Sequence, residues 1–346
     1  MKKIITSIFI LIVVAGAIAT YLTFGSATAF DEKSKGFVVE NNKTDKASVL
    51  ATLEKNHIIE NTIAFGVLAD WLGVWNKLKP GKFQLKNGDN LFTLVKLLRN
   101  NRQAEVKLVI NKLRTKEDLA KLIAKNFAPD SITVLNYLNN NDSLKQFGVD
   151  SNTVFSIILP NTYSFYYYTP LTKILAKVKN ARDVFWDAKD RQIKATALAL
   201  TQTEVYTLAS IVEEETNKED DKGKIASVYL NRYNKGMKLA ADPTVRFAMN
   251  DFTIKRVYEK YLLIESPYNT YRNKGLPPGP ICTPSANTID AVLNAPKTDY
   301  LFFVASADLK GGSHFSSNYA EHLQYAKEYQ KALTIYLEKK QAQGDD

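Results

Sequence analysis

From Ile4 to Phe24 the chain runs 21 residues without a charge. A helix of about 20 apolar residues crosses the hydrocarbon layer of a bilayer, so this run predicts a membrane-spanning helix. Lys2 and Lys3 precede it and favour a cytoplasmic N-terminus, with everything after Phe24 on the other side. A cleavable signal peptide competes with this reading, because Ala27-Thr28-Ala29 resembles a small-residue cleavage site. The apolar run is longer than the roughly 7–15 residues of a signal-peptide core, which favours a retained single-pass anchor. In either case the body of the protein is exported.

That body is long enough, within 346 residues, for about two domains. Lysine and arginine number 46 against 36 acidic residues, a net charge of +10 that suits an anionic partner. The excess is spread along the chain, with no arginine-rich arm and no zinc-finger spacing, so nucleic acid is not the expected partner. Cys282 is the one cysteine, which excludes an internal disulfide framework and a multi-cysteine metal site. No metal and no cofactor is assigned.

Within the body, residues 201–246 carry the most chemistry. Val205, Leu208, Ala209, Val212 and Thr216 fall on one face of a helix that runs into Glu213, Glu214 and Glu215. Glu214 is expected to point away from that face. Glu213 and Glu215 flank it at the border of core and solvent, where partial burial raises a carboxyl pKa and makes a general acid. The spacing alone favours a solvated acidic turn over a site.

Around this stretch, residues 31–46 read as a charged linker, with helices from Ala47 and over Asn61–Trp75. Leu78 to Gly81 is a turn, Phe83–Leu85 a short strand, and Asn87-Gly88-Asp89 turns into a helix carrying Leu91, Leu94, Val95 and Leu98. Val106–Ile110 is a strand and Thr115–Asn126 a helix capped by Thr115. Ser156–Leu159 is expected as a buried strand, and Tyr166, Tyr167 and Tyr168 as core-filling aromatics in preference to a sugar-stacking cluster. Lys222–Tyr233 is a helix, Ala241–Thr244 a loop, and the Pro/Gly-rich run Gly275–Pro280 a rigid loop. Pro284–Leu293 is a helix, Tyr300–Ala305 a buried strand, Gly311–Ser316 a flexible loop and Tyr319–Tyr336 the last helix.

The motifs LASIVEEET, ASVYLNR, GMKLAADPTV, YNTY, GLPPGPICTP and YLFFV, in this order, resemble the YceG-like family of endolytic murein transglycosylases, also known as MltG. The likeness is strong from Leu208 to His322. The strand, Gly-Asp turn and helix of Leu78–Leu98 resemble, more weakly, the first half of a LysM module, a small carbohydrate-binding fold. The implied fold is α+β: an N-terminal transmembrane helix, a small LysM-like α/β subdomain and a larger mixed α+β catalytic domain. Its expected bounds are an anchor at 1–30, a linker at 31–46, a LysM-like subdomain at 47–111, a catalytic domain at 112–338 and a charged tail at 339–346.

The resemblance implies cleavage of the β-1,4 bond between N-acetylmuramic acid and N-acetylglucosamine inside peptidoglycan strands. The product is a 1,6-anhydro end, formed without water by one glutamate that serves as acid and then as base. It also implies a role in terminating nascent strands, with peptidoglycan synthases as partners. A non-catalytic peptidoglycan-binding scaffold is the alternative. By family position Glu215 is the acid/base and Glu213 a supporting carboxylate. Asn231, Arg232, Asp242, Thr244, Tyr268, Asn269, Thr270, Tyr271 and His314 match motif positions that could bind glycan. Several have blander readings: Asp242 as a turn cap, Arg232 as an ion-pair partner of Glu213 or Glu219, Tyr268 and Tyr271 as packing, and His322 as structural. Two departures stand out. His314 directly precedes Phe315, where the family places a residue between, so His314 or Ser313 takes the expected place. The loop before Pro160 lacks the family's Glu-Gly pair.

Overall fold

The computed structural model describes residues 2–254 and 256–342, the last two by backbone only. The tail expected at 339–346 therefore lies outside the described residues beyond position 342. The described chain is mixed α+β and divides into two compact units: residues 2–108, 125–129 and 164–170, and residues 109–124, 130–163 and 171–342.

The first unit begins with helix α1 (Lys2–Phe24), whose length and composition fit a single-pass membrane anchor. Strand β1 (Ser34–Val39), helices α2 (Lys46–Lys55) and α3 (Thr62–Trp71), strand β2 (Gly81–Lys86) and helix α4 (Leu91–Arg99) follow. β1 and β2 pair antiparallel, from Ser34 opposite Lys86 to Val39 opposite Gly81. The stretch expected as a linker thus supplies a strand. Its charged residues hid the alternation that buries Phe37 and Val39. In β2, Phe83 and Leu85 face the core while Gln84 and Lys86 face out, the two-residue period of a half-buried strand. Asp45, Asn61 and Asn90 cap the three helices by accepting from the backbone N–H three residues on. Phe65 and Ala69 of α3 and Leu91, Leu94, Val95 and Leu98 of α4 fill the core between them. The small residues Ala27 and Thr28 are buried in this unit, and Ala27 N donates to Asp89 O at 3.0 Å. The tyrosine triplet does not fill the core: Tyr166 is exposed, and the Tyr168 hydroxyl accepts from Asn41 N at 3.1 Å.

Along the chain there follow β3 (Val106–Ile110), α5 (Lys116–Asn126), α6 (Ser131–Asn139), α7 (Asn141–Leu144), β4 (Asn161–Phe165), α8 (Leu171–Asp187) and α9 (Arg191–Ala197). Val154–Ile157, which overlaps the start of the buried strand expected at Ser156–Leu159, is a turn of 3-10 helix. A short apolar run has no period that separates a strand from a buried helical turn.

The second unit is built around α10 (Gln202–Glu215), which packs against α11 (Glu219–Asn234), α12 (Asp242–Ala248) and α14 (Ala286–Leu293). Between the last two lies α13 (Glu259–Leu262). A capping box starts α10: Thr201 Oγ1 accepts from Glu204 N, and the Glu204 carboxylate accepts from Thr201 N at 2.8 Å. Every residue from Val205 to Val212 is buried, so the helix is enclosed on all sides and is not the one-sided amphipathic helix that its stripe suggests.

Ala241–Thr244, expected as a loop, opens α12. Pro243 sits in the first helical turn, where its missing N–H costs nothing. Gly311–Ser316, expected as a flexible loop, includes β6 (Ser313–Ser316), which pairs with β5 (Phe302–Ala305) from Phe302 opposite Ser316 to Ala305 opposite Ser313. Gly311 takes φ +78° beside that hairpin, and β5 is only half-buried, not the core strand expected. Helix α15 (Tyr319–Ala342) closes the described chain.

Loss of the capping box should weaken the unit that α10 organises. Thr201→Ala is expected to cost about 1 kcal/mol in thermal unfolding, whereas Thr201→Ser should be close to neutral.

Candidate active site

The last turn of α10 sends its three carboxylates into three environments, because successive side chains leave a helix about 100° apart. Glu213 turns to the start of α14. It accepts from Ser285 Oγ at 3.1 Å, from Thr288 Oγ1, and from Lys222 Nζ at 3.5 Å. Glu214, expected to point away from the apolar face of the helix, does not reach solvent. Its side chain is 9% exposed and receives Arg114 through Nε at 3.1 Å and Nη2 at 2.9 Å, with Lys112 Nζ at 3.2 Å. The expected solvent-facing carboxylate is an enclosed ion pair.

Glu215 is different. It lies against a cavity of about 360 Å³ between α11, α12, β5 and α15. Tyr229 of α11 donates its hydroxyl to Glu215 Oε1 at 2.5 Å. Among the described residues, no lysine or arginine forms an ion pair with it. Burial pushes its carboxyl up from the usual carboxylate range to about 7, and the negative charge of Asp242 acts in the same direction. The Tyr229 hydrogen bond and the charges of Arg246 and Arg232 oppose that rise.

One turn beyond Tyr229, Arg232 also lines the cavity. Its Nε donates to Leu301 O at 2.7 Å and its Nη1 to Leu239 O at 2.6 Å, so backbone carbonyls hold it in place of Glu213 or Glu219. Asp242, the first residue of α12, makes no capping bond and instead accepts from the Tyr271 hydroxyl at 2.6 Å. Both residues face the cavity. Phe302 and Phe303 of β5 and Tyr319 and His322 of α15 complete the lining. The His322 ring stacks on Phe302 at 5.3 Å between centroids, and its buried Nδ1 has no hydrogen-bond partner among the described residues.

Of the residues expected to bind glycan, Arg232, Asp242 and Tyr271 are brought together with Glu215 and the others are not. Asn231 Nδ2 donates to Thr298 O and Tyr300 O, both at 2.9 Å, and holds the entry to β5. Thr244 and Thr270 are buried and bonded to each other at 2.9 Å, and Thr270 Oγ1 also accepts from Ala241 N. Asn269 is buried and donates to Leu262 O and Ile264 O. These three residues fold the chain behind Asp242 and Tyr271. Tyr268 packs on Phe247 and lines a separate cavity of about 290 Å³ with Arg114, Lys116 and Asn152. His314 pairs within the hairpin opposite Val304 and stacks on Tyr325 at 4.6 Å, away from the Glu215 cavity. Glu213 lies on another side of α10.

The residues missed by motif reading are Tyr229, Phe302, Phe303, Tyr319 and His322. Two had a signal: Tyr229 sits one turn before Arg232, and Tyr319 one turn before His322, so each pair shares a helix face. His322, read as structural, belongs to the cavity wall. Among the described residues, no group of three or more His, Cys, Asp or Glu side chains could hold a metal ion.

The site is a carboxyl of raised pKa, bonded to one tyrosine hydroxyl, in a polar and aromatic cavity of a mixed α+β chain that begins with an apolar helix. The sequence pattern of the YceG-like family matches residues 37–328, and the chain belongs to that family. An endolytic murein transglycosylase of Bacillus subtilis (strain 168) is 28% identical over 299 residues, covering 82% of this chain and 81% of that protein. The endolytic murein transglycosylase of Streptococcus pneumoniae serotype 2 (strain D39 / NCTC 7466) is 32% identical over 169 residues, 48% of this chain and 30% of that protein. A yceG-like protein from Listeria monocytogenes, whose crystal structure was solved at 2.6 Å, superposes with a TM-score of 0.56 at 26% identity, over 85% of this chain and 99% of that one.

The two carboxylates should respond oppositely to neutralisation. Glu215 has a raised folded-state pKa, so it contributes stability below the unfolded value, near 4.5, that is lost as pH rises to about 7. Glu215→Gln is therefore expected to raise stability by about 1–3 kcal/mol at pH 8 and by much less at pH 5, read by thermal unfolding at both values. Glu213→Ala leaves the buried Lys222 with Glu219 alone and should cost roughly 2–3 kcal/mol.

Proposed function

We propose that this chain is a membrane-anchored endolytic peptidoglycan transglycosylase and that Glu215 is its acid/base residue. The observation that carries the assignment is the raised carboxyl of Glu215 in the cavity, bonded to one tyrosine hydroxyl and, among the described residues, ion-paired with no lysine or arginine. Near neutral pH a substantial fraction of that carboxyl holds its proton, as a general acid requires. The names of the Bacillus and Streptococcus relatives supply the reaction type and the substrate.

In the proposed reaction Glu215 donates its proton to the oxygen linking N-acetylmuramic acid to N-acetylglucosamine. The bond from that oxygen to C1 breaks, and the N-acetylglucosamine side leaves as an alcohol. Positive charge grows on C1 and the ring oxygen, and the carboxylates of Glu215 and Asp242 stabilise it electrostatically. The C6 hydroxyl of the same muramyl residue then attacks C1 and returns its proton to Glu215. A 1,6-anhydro ring forms, no water is consumed, and the enzyme regains its starting protonation. Tyr229 stabilises the carboxylate in the middle of the cycle by donating to it. Arg232, Tyr271, Phe302 and His322 offer donors and ring faces for a sugar. Glu213, Asn231, Thr244, Asn269 and Thr270 act as positioning residues in this account, while Tyr268 and His314 could reach glycan only outside the Glu215 cavity.

The β-α-α-β order of Ser34–Lys86 supports a LysM-like reading of the first unit, placed further upstream than the Gly-Asp turn suggests. Catalysis then belongs to the second unit. With Lys2 and Lys3 on the cytoplasmic side, both units face the outside of the cytoplasmic membrane, where nascent strands are available for termination beside their synthases.

Digestion of purified glycan strands by the full chain, followed by mass spectrometry, should yield 1,6-anhydro ends. Reducing ends would identify a hydrolase, and uncut strands a binding scaffold. Glu215→Gln should lower the rate by at least about 10²-fold. If Glu213→Gln is inactive while Glu215→Gln cleaves, the assignment is wrong. The kcat/KM of the wild type should fall as pH rises through about 7. Because the Tyr229 hydrogen bond lowers the Glu215 pKa, Tyr229→Phe should move that fall to higher pH.

A further inference from the structure

Helix α3 has an apolar side that its own unit leaves uncovered. Ile63, Val67 and Trp71 recur every four residues, share that side, and are 80%, 65% and 81% exposed. Phe65 and Ala69 on the other side are fully buried in the core. Single exposed apolar side chains are ordinary, but a continuous row along a helix marks an interaction surface. The one charged residue of α3, Asp70, does not oppose an apolar partner. Its carboxylate accepts from Lys46 Nζ and from Trp75 Nε1, each at 2.6 Å.

The position of this row identifies the partner. The final turns of α1 pack on α3 and α4, and Ala19, Leu22 and Thr23 share an open cleft of about 310 Å³ with Ala64, Val67 and Trp71. Phe24 and Phe92 of α4 meet ring to ring at 5.5 Å. The uncharged run of α1 is about 31 Å long at 1.5 Å per residue, matching a hydrocarbon layer of about 30 Å. With Lys2 and Lys3 at one headgroup layer, Ala19 lies only about 8 Å below the end of that run. The α3 residues beside it share that depth.

We propose that α3 is an interfacial helix, with the Ile63–Val67–Trp71 side immersed in the lipid leaflet at the C-terminal end of α1. The inference rests on the reading of α1 as a membrane-spanning helix. A tryptophan at the end of such a row suits the boundary between acyl chains and headgroups, where its ring is half apolar and half wet. The first unit is then seated on the bilayer at two places, along α1 and along α3, and does not swing on α1 alone.

Power-saturation EPR of the full chain in phosphatidylcholine/phosphatidylglycerol vesicles tests this. Single nitroxides would be placed at Val67→Cys, Trp71→Cys, Val13→Cys and Gln84→Cys, in a Cys282→Ala background. Val67, Trp71 and Gln84 are exposed, so their labels should leave the fold intact, and Gln84 lies on the sheet side away from the core. The labels at Val67 and Trp71 should meet oxygen severalfold more, relative to a water-soluble nickel complex, than the label at Gln84 does. Val13 reports α1 separately. A lipid-like Val13 with Val67 and Trp71 matching Gln84 would overturn the interfacial helix and leave the anchor standing. An aqueous Val13 would overturn the spanning reading and this inference with it. Low collision with both reagents at Val67, together with dipolar broadening between labels, would show a second copy of the chain covering α3 and would equally overturn it.

Discussion

The second unit depends on the burial of α10. Its side chains from Val205 to Val212 are all enclosed, so the helix cannot roll in its packing, and the directions of the next three residues are set to within a few tens of degrees. Three adjacent carboxylates at the end of a fixed helix must leave it in three directions. That single constraint separates a residue bonded to α14, a residue paired with Arg114, and a residue open to a cavity.

The C-terminal end of a helix carries a partial negative charge, so carboxylates there are disfavoured unless a cation or donor offsets them. Lys222 and two hydroxyls do this for Glu213, and Arg114 with Lys112 does it for Glu214. Against burial, which prevails, and Asp242, Glu215 has one hydroxyl and the more distant charges of Arg246 and Arg232. It responds by holding a proton to a higher pH. The same arrangement that lowers the stability of the fold above neutral pH leaves a carboxyl that keeps its proton to about pH 7, the property the proposed acid/base role needs.

Much of the architecture could be read from local patterns. The uncharged run of α1, the alternation of β2, the Asn-capped α4 and the Thr115 cap all depend on neighbours within a few residues. Elements that depend on distant partners were misread. β1 looks like a linker because its pairing partner lies about 40–50 residues on, β6 looks like a loop because β5 is needed to define it, and α12 looks extended because Pro243 restricts the residue before it whether or not a helix follows. Within the site, shared motifs gathered Glu215, Arg232, Asp242 and Tyr271 together with residues that only hold the backbone behind them. Motif order cannot distinguish Asp242, whose carboxylate faces the cavity, from Thr244, whose hydroxyl is buried two residues later.

By itself, the sequence determined the apolar N-terminal helix, the α+β class, the family and the short list of three carboxylates. Each of these is a matter of local composition, periodicity or shared motif. Only the tertiary structure decided what each carboxylate does. The charges and donors around Glu213, Glu214 and Glu215 come from Lys112, Arg114, Lys222, Tyr229, Asp242 and Ser285, brought together by packing, and at Glu215 burial in that packing raises the carboxyl pKa. The membrane-facing row on α3 has the same origin: the spacing of Ile63, Val67 and Trp71 is in the sequence, but their exposure beside the end of α1 is a property of the fold.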